Sequence, residues 1–422
     1  MDQEIREPEA ILDTDRLLDE IFEKLAKREF SEVHFDPFQG GMRIRYRKGR
    51  DLVDYLTLSD RKAGASDQGS ESVTELINTR LKTLSDLDVE ERTIPSDGII
   101  HLSFPHLNED LDLWLTTNPT LFGEQSFVRI FRLGTPFKKF ENLGLDPFAE
   151  KQLTEAIWKK GGLIVFAGPT NAGKTTTQNS ILYILNDSKK NILTAEWPVE
   201  YPMSGINQVD CKFEIGYTDT VAVNTFLKQK PDIIKLKLED HETTRLAFRA
   251  ASKKTLVLSA IHVHSAASVF DRLRNMGISQ FDLSTYIFLI QAQRIIRRLC
   301  LDCREAYSPS DGLLRHLKVD EQLFERLGLP FEYPGSITFY KPRGCSKCFG
   351  SGYYDRILIC ESLKVTPKLQ DIILNKYSVR EIEKTAIEEG MLTLWDAGLR
   401  QAILGNTSIE EFMMFGTRPK HA

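Results

Sequence analysis

The sequence lacks the marks of three large classes of protein. No apolar run approaches the ~20 residues that a helix needs to cross a bilayer. The first residues, MDQEIREPEAILDTD, are acidic and contain no apolar core of the kind that a secretory signal peptide requires. The net charge is −5 at pH 7, so the composition has no positive excess for a nucleic-acid partner, although an acidic average can hide a local basic channel. We therefore expect a cytoplasmic protein with no membrane span and no nucleic-acid partner.

Cysteine is also sparse, but its spacing is informative. Four of the six cysteines form two C-x-x-C pairs, Cys300/Cys303 and Cys345/Cys348. In a cytosolic chain this spacing favours a metal site over disulfides. Each pair forms a knuckle that places two thiolates on one ion, and two knuckles complete a tetrahedral Zn²⁺ site. Four reduced cysteines at this spacing by chance is the weaker alternative, and Cys211 and Cys360 are expected to be small buried hydrophobic residues.

A phosphate-binding loop follows a short apolar run. Leu163 to Phe166 predict a buried strand, and the residues after it fit G-x-x-x-x-G-K-[ST]. Glycines allow a tight turn whose backbone N–H groups surround a phosphate, and the following helix adds its positive dipole end. Lys174 can reach the β- and γ-phosphates, and the Thr175 hydroxyl can bind Mg²⁺. The predicted nucleotide-binding residues are Gly168, Pro169, Thr170, Asn171, Ala172, Gly173, Lys174, Thr175 and Thr176.

The length of 422 residues predicts two or three domains. The first part of the chain has an α+β pattern, and the part around the phosphate loop alternates helices and strands, which indicates an α/β fold with a mainly parallel sheet. After residue 280 the chain looks helical and then carries the cysteine pairs. The predicted parts are an N-terminal α+β domain at 1–134, a linker at 135–149, a P-loop core at 150–298, a tetracysteine subdomain at 299–361 and a helical C-terminal region at 362–422.

Further motifs accompany the phosphate loop in a fixed order. They are TAEWPVEY at 194–201, FLKQKPDIIKLKLEDHET at 226–243, KTLVLSAIHVHSAAS at 254–268, QRIIRRLCLDC at 293–303, GCSKCFGSGYYDR at 344–356 and GMLTLWDAGLRQAILGNTSIEE at 390–411. Together they resemble the secretion ATPases that drive type II secretion and type IV pilus assembly. SEVHFDPFQGGMRIRYRKG and LDVEERTIPSDG, near the N-terminus, are similar to the same family. The resemblance therefore covers nearly the whole chain, without the separate N-terminal docking domain that many members carry.

The resemblance implies a fold, a partner and a mechanism. It implies a RecA-like ATPase core that binds ATP and Mg²⁺, assembly into a homo-hexamer, and action on an inner-membrane platform protein, which would place the chain at the cytoplasmic side of the inner membrane. Glu196 of the family's T-x-E-D-P-V-E-Y box would polarise water or hold the Mg²⁺ shell. His262 of the histidine box would sense the γ-phosphate or couple subunits. Arg129 would reach a neighbouring subunit's nucleotide as an arginine finger.

The Walker B stretch departs most from the family pattern P-D-I-I-x-V-G-E-I-R-D-x-E-T. It is one residue shorter, so the position of the catalytic glutamate falls on Lys237, or on Leu238 if the gap lies later. Strand alternation places Ile234, Leu236 and Leu238 on one face and Lys235 and Lys237 on the other. Glu239 and Asp240 follow the strand. A small register shift would bring one of them to the γ-phosphate, and the equally weighted alternative is a solvated strand end.

Other departures concern single positions. Asn171-Ala172 stand where the family usually has Gly-Ser, Trp197 replaces the aspartate after Glu196, and Trp114 replaces an arginine at a second finger position. Arg43, Arg45 and Arg47 alternate along one strand and are either additional fingers or an ordinary exposed face. Arg294, Arg297 and Arg298 either cover a helix face or contact a neighbouring subunit.

Two interpretations follow. The first is a hexameric secretion-type ATPase. The second is a degenerate paralogue that binds nucleotide, hydrolyses it slowly or not at all, and serves as a regulatory or structural subunit. Because the missing groups act mainly on water or on transition-state charge, we expect ATP to be bound better than it is hydrolysed. A nucleic-acid translocase is disfavoured by the acidic balance and the cysteine pairs.

Overall fold

The computed structural model describes residues 13–27, 29–48, 51–60, 72–107, 109–131, 139–330, 337–348 and 350–414. The chain divides into two compact units, residues 1–135 and 136–422. The predicted boundary at 134/135 lies outside the described residues, and the finer division of 150–422 stays a prediction. Within the described residues no helix has both the length and the apolar content to span a membrane.

The described part of the N-terminal unit is an antiparallel sheet covered on one face by two helices. In the described residues the strand order is β3-β2-β1-β6-β5-β4. The elements are α1 (Thr14–Ala26), β1 (Glu32–Phe38), β2 (Gly41–Lys48), β3 (Asp51–Ser59), α2 (Val73–Leu84), β4 (Ser96–Phe104), β5 (Glu109–Thr120) and β6 (Gly123–Phe131).

Alternation explains which face of this sheet is covered. Val33 and Phe35 of β1 are buried against the helices, together with Ile21 of α1 and Ile77 of α2. The intervening residues of β1 lie on the opposite, polar face. Helix α2 begins where a capping box forms, since the Ser72 side chain accepts from the backbone N–H of Glu75 and the Glu75 carboxylate accepts from that of Ser72.

In the part of the second unit that the structure describes, the sheet is mixed and seven-stranded, in the order β15-β12-β7-β11-β10-β8-β9. All neighbouring strands are parallel except β12 and β15, which are antiparallel. The elements up to the last core strand are α3 (Pro147–Ile157), β7 (Gly162–Ala167), α4 (Lys174–Leu185), β8 (Ile192–Glu196), β9 (Asn207–Asp210), α5 (Asp219–Phe226), β10 (Ile233–Lys237), α6 (His241–Ser252), β11 (Leu256–Ile261), α7 (Ser268–Asn275), α8 (Gln280–Tyr286) and β12 (Ile287–Leu299).

The central strand β7 is buried along its whole length because helices cover both faces of the sheet. Ile164 and Phe166 pack with Ile181 and other residues of α4 on one face. Leu163 and Val165 belong to a second cluster on the other face. The mainly parallel sheet predicted from the alternating pattern is therefore present.

The prediction of a helical chain after residue 280 is wrong for β12. Helix α8 is only seven residues long, and the next thirteen residues form a strand. Most of these thirteen residues are buried, so their sequence shows no alternation, and a buried strand then resembles a buried helix in its hydrophobic pattern. Arg294, Arg297 and Arg298 consequently lie on a strand and do not cover a helix face.

The remaining elements form the cysteine-bearing region and a helical end. A two-stranded antiparallel sheet joins β13 and β14, and β15 returns to pair with β12. The elements are β13 (Glu305–Tyr307), α9 (Asp311–Leu317), α10 (Glu321–Leu327), β14 (Phe339–Lys341), β15 (Tyr353–Lys364), α11 (Pro367–Asn375), α12 (Val379–Glu388), α13 (Leu394–Ile403) and α14 (Ile409–Met413).

Candidate nucleotide site

The phosphate loop joins β7 to the N-terminus of α4. Its backbone turns through left-handed conformations at Asn171, with φ of 63°, and at Gly173, with φ of 85°. Asparagine is the residue that tolerates this region best after glycine, which explains how Asn171 replaces the family's glycine. At Gly168 a Cβ atom would lie 2.8 Å from the Ala172 Cβ and from the Gln293 carbonyl oxygen, so the loop has no room for a side chain there.

Lys174 lies across the loop. Its Nζ donates hydrogen bonds to the carbonyl oxygens of Gly168 and Pro169, at 2.8 and 2.7 Å. Burial and the positive charges of Lys237 and Arg294 lower the pKa of Lys174 to about 8. An anion bound among these cations would stabilise the charged form of Lys174, so the arrangement is suited to a phosphate group.

The carboxyl ends of β10 and β11 bring further predicted residues to the loop. Leu238 is buried in the core with Leu236, so Lys237 is the side chain at the end of β10 on the face of α4. Glu239 is exposed, and its negative charge acts on both Lys174 and His262. Partial burial and the charge of Lys174 lower the pKa of His262. Lys174, Lys237, Glu239 and His262 therefore form one electrostatic cluster.

Strand β12 lines the other side of the loop. The Gln293 side-chain amide donates to the Thr177 hydroxyl at 3.1 Å. The Arg294 guanidinium donates to the carbonyl oxygens of Gln293 and His264, at 2.7 and 2.9 Å. Arg294 is thus fixed beside the phosphate loop by backbone acceptors, and burial lowers its pKa.

Glu196 occupies a closed polar site at the end of β8. Its Oε1 accepts hydrogen bonds from the Thr194 hydroxyl at 2.7 Å and the Gln208 amide at 3.1 Å. Its Oε2 accepts from the Lys235 ammonium at 2.6 Å, and Lys235 also donates to the Asn179 Oδ1 of α4 at 2.6 Å. Burial alone would raise the pKa of Glu196, but Lys235 and the hydrogen bonds lower it. Both carboxylate oxygens are thus engaged, and the catalytic assignment of Glu196 stays a prediction.

Trp197, next to Glu196, points toward the surface. It is 38% exposed, and its ring meets that of Phe213 edge-on with 5.5 Å between centroids. Its carbonyl oxygen accepts a hydrogen bond from the Lys237 Nζ at 3.4 Å. Trp197 therefore stands where the family has an aspartate. Its ring packs on Phe213 at the surface, and its carbonyl oxygen accepts a hydrogen bond from Lys237.

The four paired cysteines lie together in the second unit. All four sulfur atoms are within 4.8 Å of one another, and the Sγ–Sγ distances are 3.9 Å for Cys300–Cys345, 3.8 Å for Cys303–Cys348 and 3.7 Å for Cys345–Cys348. Four sulfurs at the Zn–S distance of ~2.3 Å around a tetrahedral ion are about 3.8 Å apart. The donor set therefore fits Zn²⁺.

The backbone around Cys348 also favours a thiolate. The N–H groups of Cys345 and Gly352 donate to the Cys348 Sγ at 3.1 and 3.2 Å. Burial acts to raise the pKa of Cys348, but these donors hold it at about 6. Cys211 and Cys360 are buried elsewhere, as the sequence predicts.

The predicted arginine positions lie on the polar face of the N-terminal sheet. Trp114 of β5 is the direct cross-strand partner of Arg129 of β6, and the guanidinium carbon lies 5.9 Å from the ring centroid. The Trp114 Nε1 donates to the Asp97 carboxylate at 3.0 Å. Arg45 pairs with Asp36 at 2.7 Å and Arg47 pairs with Glu32. Both pairs are intrachain, whereas Arg43 is exposed.

Sequence reasoning missed two sets of groups at this site. Lys235 was placed on the correct face of β10, but its buried pairing with Glu196 was not anticipated. The contacts of Gln293 and Arg294 depend on strand β12, and the helix predicted for this segment does not place them at the loop. The available signal was a lysine within the apolar run DIIKLKL, since a buried lysine is almost always paired.

Sequence comparisons point to one family. The family model described as type II/IV secretion system protein matches residues 9–414. The chain is 34% identical over 397 residues to the type IV pilus assembly ATPase PilB of Myxococcus xanthus, covering 94% of this chain and 66% of that protein. It is 32% identical over 400 residues to the type II secretion system protein E of Xanthomonas campestris pv. campestris, again covering 94% and 66%. The chain thus spans just under two thirds of the length of these two relatives.

Solved structures share the fold over almost the whole chain. The Legionella pneumophila ATPase DotB gives a TM-score of 0.65 at 16% identity, covering 97% of both chains. The pilus retraction motor PilT with bound ADP gives a TM-score of 0.63 at 18% identity, covering 96% of this chain and 98% of that one. At these identities the likeness establishes the fold.

Proposed function

Because the chain belongs to the type II/IV secretion system protein family, we propose that it is the ATPase part of a machine for type IV pilus assembly or type II secretion. The observation that carries the proposal is the formed phosphate loop, with Lys174 across its mouth and left-handed backbone at Asn171 and Gly173. ATP would bind with its phosphates against the loop N–H groups and the N-terminus of α4. The Lys174 ammonium would leave the carbonyl oxygens of Gly168 and Pro169 and donate to the phosphates.

The rest of the machine follows from the family. We propose that the chain forms a homo-hexamer on the cytoplasmic side of the inner membrane and acts on a membrane platform protein. Arg129 would then act in trans on a neighbouring subunit's nucleotide. His262, whose pKa is lowered by partial burial and by Lys174, would respond to the γ-phosphate. Zn²⁺ would be held by the four clustered cysteines and would stabilise the fold of their region.

A specific observation favours a second candidate, a nucleotide-binding subunit with little hydrolysis. Glu196 is engaged by Lys235 at 2.6 Å, and Lys237 occupies the carboxyl end of β10 on the α4 face. A protonated lysine has donors and no acceptor, so neither ammonium can take a proton from water as a carboxylate would. In this second function the chain would change state on binding ATP and would regulate or support active subunits.

Steady-state ATP hydrolysis by the assembled oligomer separates the two candidates. Turnover at the typical enzyme rate of roughly 1 per second or faster would favour the motor. Slower turnover with intact binding of a fluorescent ATP analogue would favour the binding subunit. Lys174→Ala is the control for both, because equal affinity of this variant and the parent would show that nucleotide does not bind at the loop.

Light scattering with and without nucleotide tests the assembly. The proposal predicts a hexamer whose population increases with protein concentration or with nucleotide. A monomer under every condition would contradict the proposed ring and the action of Arg129 in trans.

A further inference from the structure

The proposed nucleotide site contains a donor set that fits Mg²⁺ poorly. Mg²⁺ in nucleotide sites is bound through one or two carboxylates together with the substrate's phosphates and water. In this chain the predicted ligand Thr175 supplies a neutral hydroxyl. The carboxylate of Glu196 is closed off, because both its oxygens accept hydrogen bonds and an ammonium lies 2.6 Å from one of them.

Strand β10 places positive charge where carboxylate ligands are expected. Lys235 and Lys237 both face α4, since Ile233 on the same face packs with α4 residues. Lys237 lies beside Ala260 of β11, which lies beside Phe166 of β7, one residue before the end of that strand. These three positions form one row across the sheet. Lys237 therefore lies at the carboxyl end of the sheet, at the same level as the start of the phosphate loop.

Around Lys174 the cations outweigh the anions, whereas Asp219 is an acidic group that interacts with Lys237. Lys174 lies in the field of two other cations, since the charges of Lys237 and Arg294 both lower its pKa. Glu239 is the acidic group that opposes them at Lys174, and its contribution there is smaller than that of either cation. A divalent cation entering this cluster would be repelled, whereas a polyphosphate would be attracted.

Resting on the proposed nucleotide binding, we propose that this site holds a nucleoside triphosphate without a divalent cation. Lys237 supplies, from the end of β10, the positive charge that Mg²⁺ supplies in metal-dependent sites. Lys174 and Lys237 contact the phosphate oxygens once their ammonium groups leave the carbonyl oxygens of Gly168, Pro169 and Trp197. Arg294 contributes through its field, because its two amino groups keep their bonds to the carbonyl oxygens of Gln293 and His264. Lys235 acts indirectly: its ion pair with Glu196 compensates the charge of that carboxylate and holds it away from the phosphates.

The test is equilibrium binding of a fluorescent ATP analogue to the full chain, in excess Mg²⁺ and in EDTA. The parent should bind in both buffers with affinities that differ by less than about tenfold. Lys237→Met should weaken binding in EDTA by about 10- to 100-fold, the loss expected for a hydrogen bond between charged groups. Lys237→Arg keeps the charge and should bind like the parent in EDTA.

Two further variants sharpen the result. Lys228→Met removes an exposed lysine that precedes the amino end of β10, and it should leave both affinities unchanged. Lys237→Glu restores a carboxylate at the strand end, and its binding should become dependent on Mg²⁺. Thermal unfolding of each variant in the absence of nucleotide identifies any loss of affinity that comes from misfolding.

The outcomes are distinguishable. Parent binding that disappears in EDTA overturns this inference and leaves the proposed nucleotide binding intact. Lys237→Met that binds as well as the parent in EDTA also overturns it. Absence of binding in both buffers overturns the proposed function itself. Glu239→Gln tests the exposed carboxylate after β10, because a drop in affinity in Mg²⁺ in that variant, with none in EDTA, would assign a cation to Glu239 and overturn the inference.

Discussion

The buried pair of Lys235 and Glu196 gives the most quantitative prediction. Lys235→Met removes the ammonium that lies 2.6 Å from Glu196 Oε2 and from Asn179 Oδ1, while methionine fills a similar volume. The two side chains are only 6% and 5% exposed, so water cannot replace the lost partner. Removing one member of a buried pair costs ~3–5 kcal/mol. Since Glu196 keeps its bonds from Thr194 and Gln208, we expect a loss of about 3 kcal/mol, at the lower end of that range.

The pH dependence gives an independent signature of the same pair. Burial opposes ionisation of Glu196, but Lys235 and the hydrogen bonds outweigh it and lower its pKa in the folded parent. The ionised carboxylate therefore contributes its full stability above the unfolded pKa of about 4.3, and this contribution is lost as the pH falls through the folded pKa. In Lys235→Met the isolated carboxylate should have a raised pKa, so that protonation relieves the penalty. The parent and the variant should differ most at neutral pH and converge toward pH 4.

Urea unfolding measures this difference. A chain of two units unfolds in more than one step, and the transition that an ATP analogue shifts to higher urea belongs to the unit with the phosphate loop. The double variant Lys235→Met/Glu196→Gln removes both charges and should recover most of the lost stability. A loss below about 1 kcal/mol in Lys235→Met, the value of an exposed pair, would refute the reasoning, as would an equal loss at pH 4 and pH 7.

Three other predictions concern separate features. Metal analysis should find about one zinc per chain; Cys303→Ser should lose it and Cys211→Ala should keep it, whereas a metal-free parent that stays folded under chelator would rule the site out. Asn171→Gly should bind an ATP analogue as the parent does, but Asn171→Val should bind roughly tenfold more weakly because a left-handed residue costs ~1–2 kcal/mol, and equal affinities would contradict this. Trp114→Arg combined with Lys237→Glu should raise turnover of the oligomer by about tenfold or more, and unchanged turnover would show that these positions do not limit hydrolysis.

The parts of the molecule that sequence predicted well are those governed by local chemistry. The phosphate loop needs glycine or asparagine at its left-handed positions, and Gly173 and Asn171 meet that requirement. The two C-x-x-C pairs define their knuckles within four residues each, and the structure brings all four sulfur atoms together. Strand alternation on β10 correctly separated Lys235 and Lys237 from the apolar positions.

The parts that sequence did not predict depend on contacts between distant segments. Lys235 meets Glu196 because β10 and β8 are neighbours in the sheet, with Lys235 level with Thr194. The sequence around residue 235 does not indicate which strand pairs with β10 or in which register. Similarly, β12 is a strand because β7 and β15 pair with it, and its continuous burial removes the alternation that would have identified it.

Strand β12 also connects two sites along the chain. Its backbone at Gln293 and its Ile295 side chain abut the phosphate loop at Gly168 and Gly173, and the same strand runs directly into Cys300. The seven steps from Gln293 to Cys300 extend over ~23 Å at the rise of a strand. Strand β15 pairs with Gln293 to Arg297 in regular register, but the register shifts between Arg297 and Leu299, just before Cys300. The strand therefore has a point at which its backbone can bend between the phosphate loop and the cysteine cluster, so the two sites can keep their own geometries although one strand connects them.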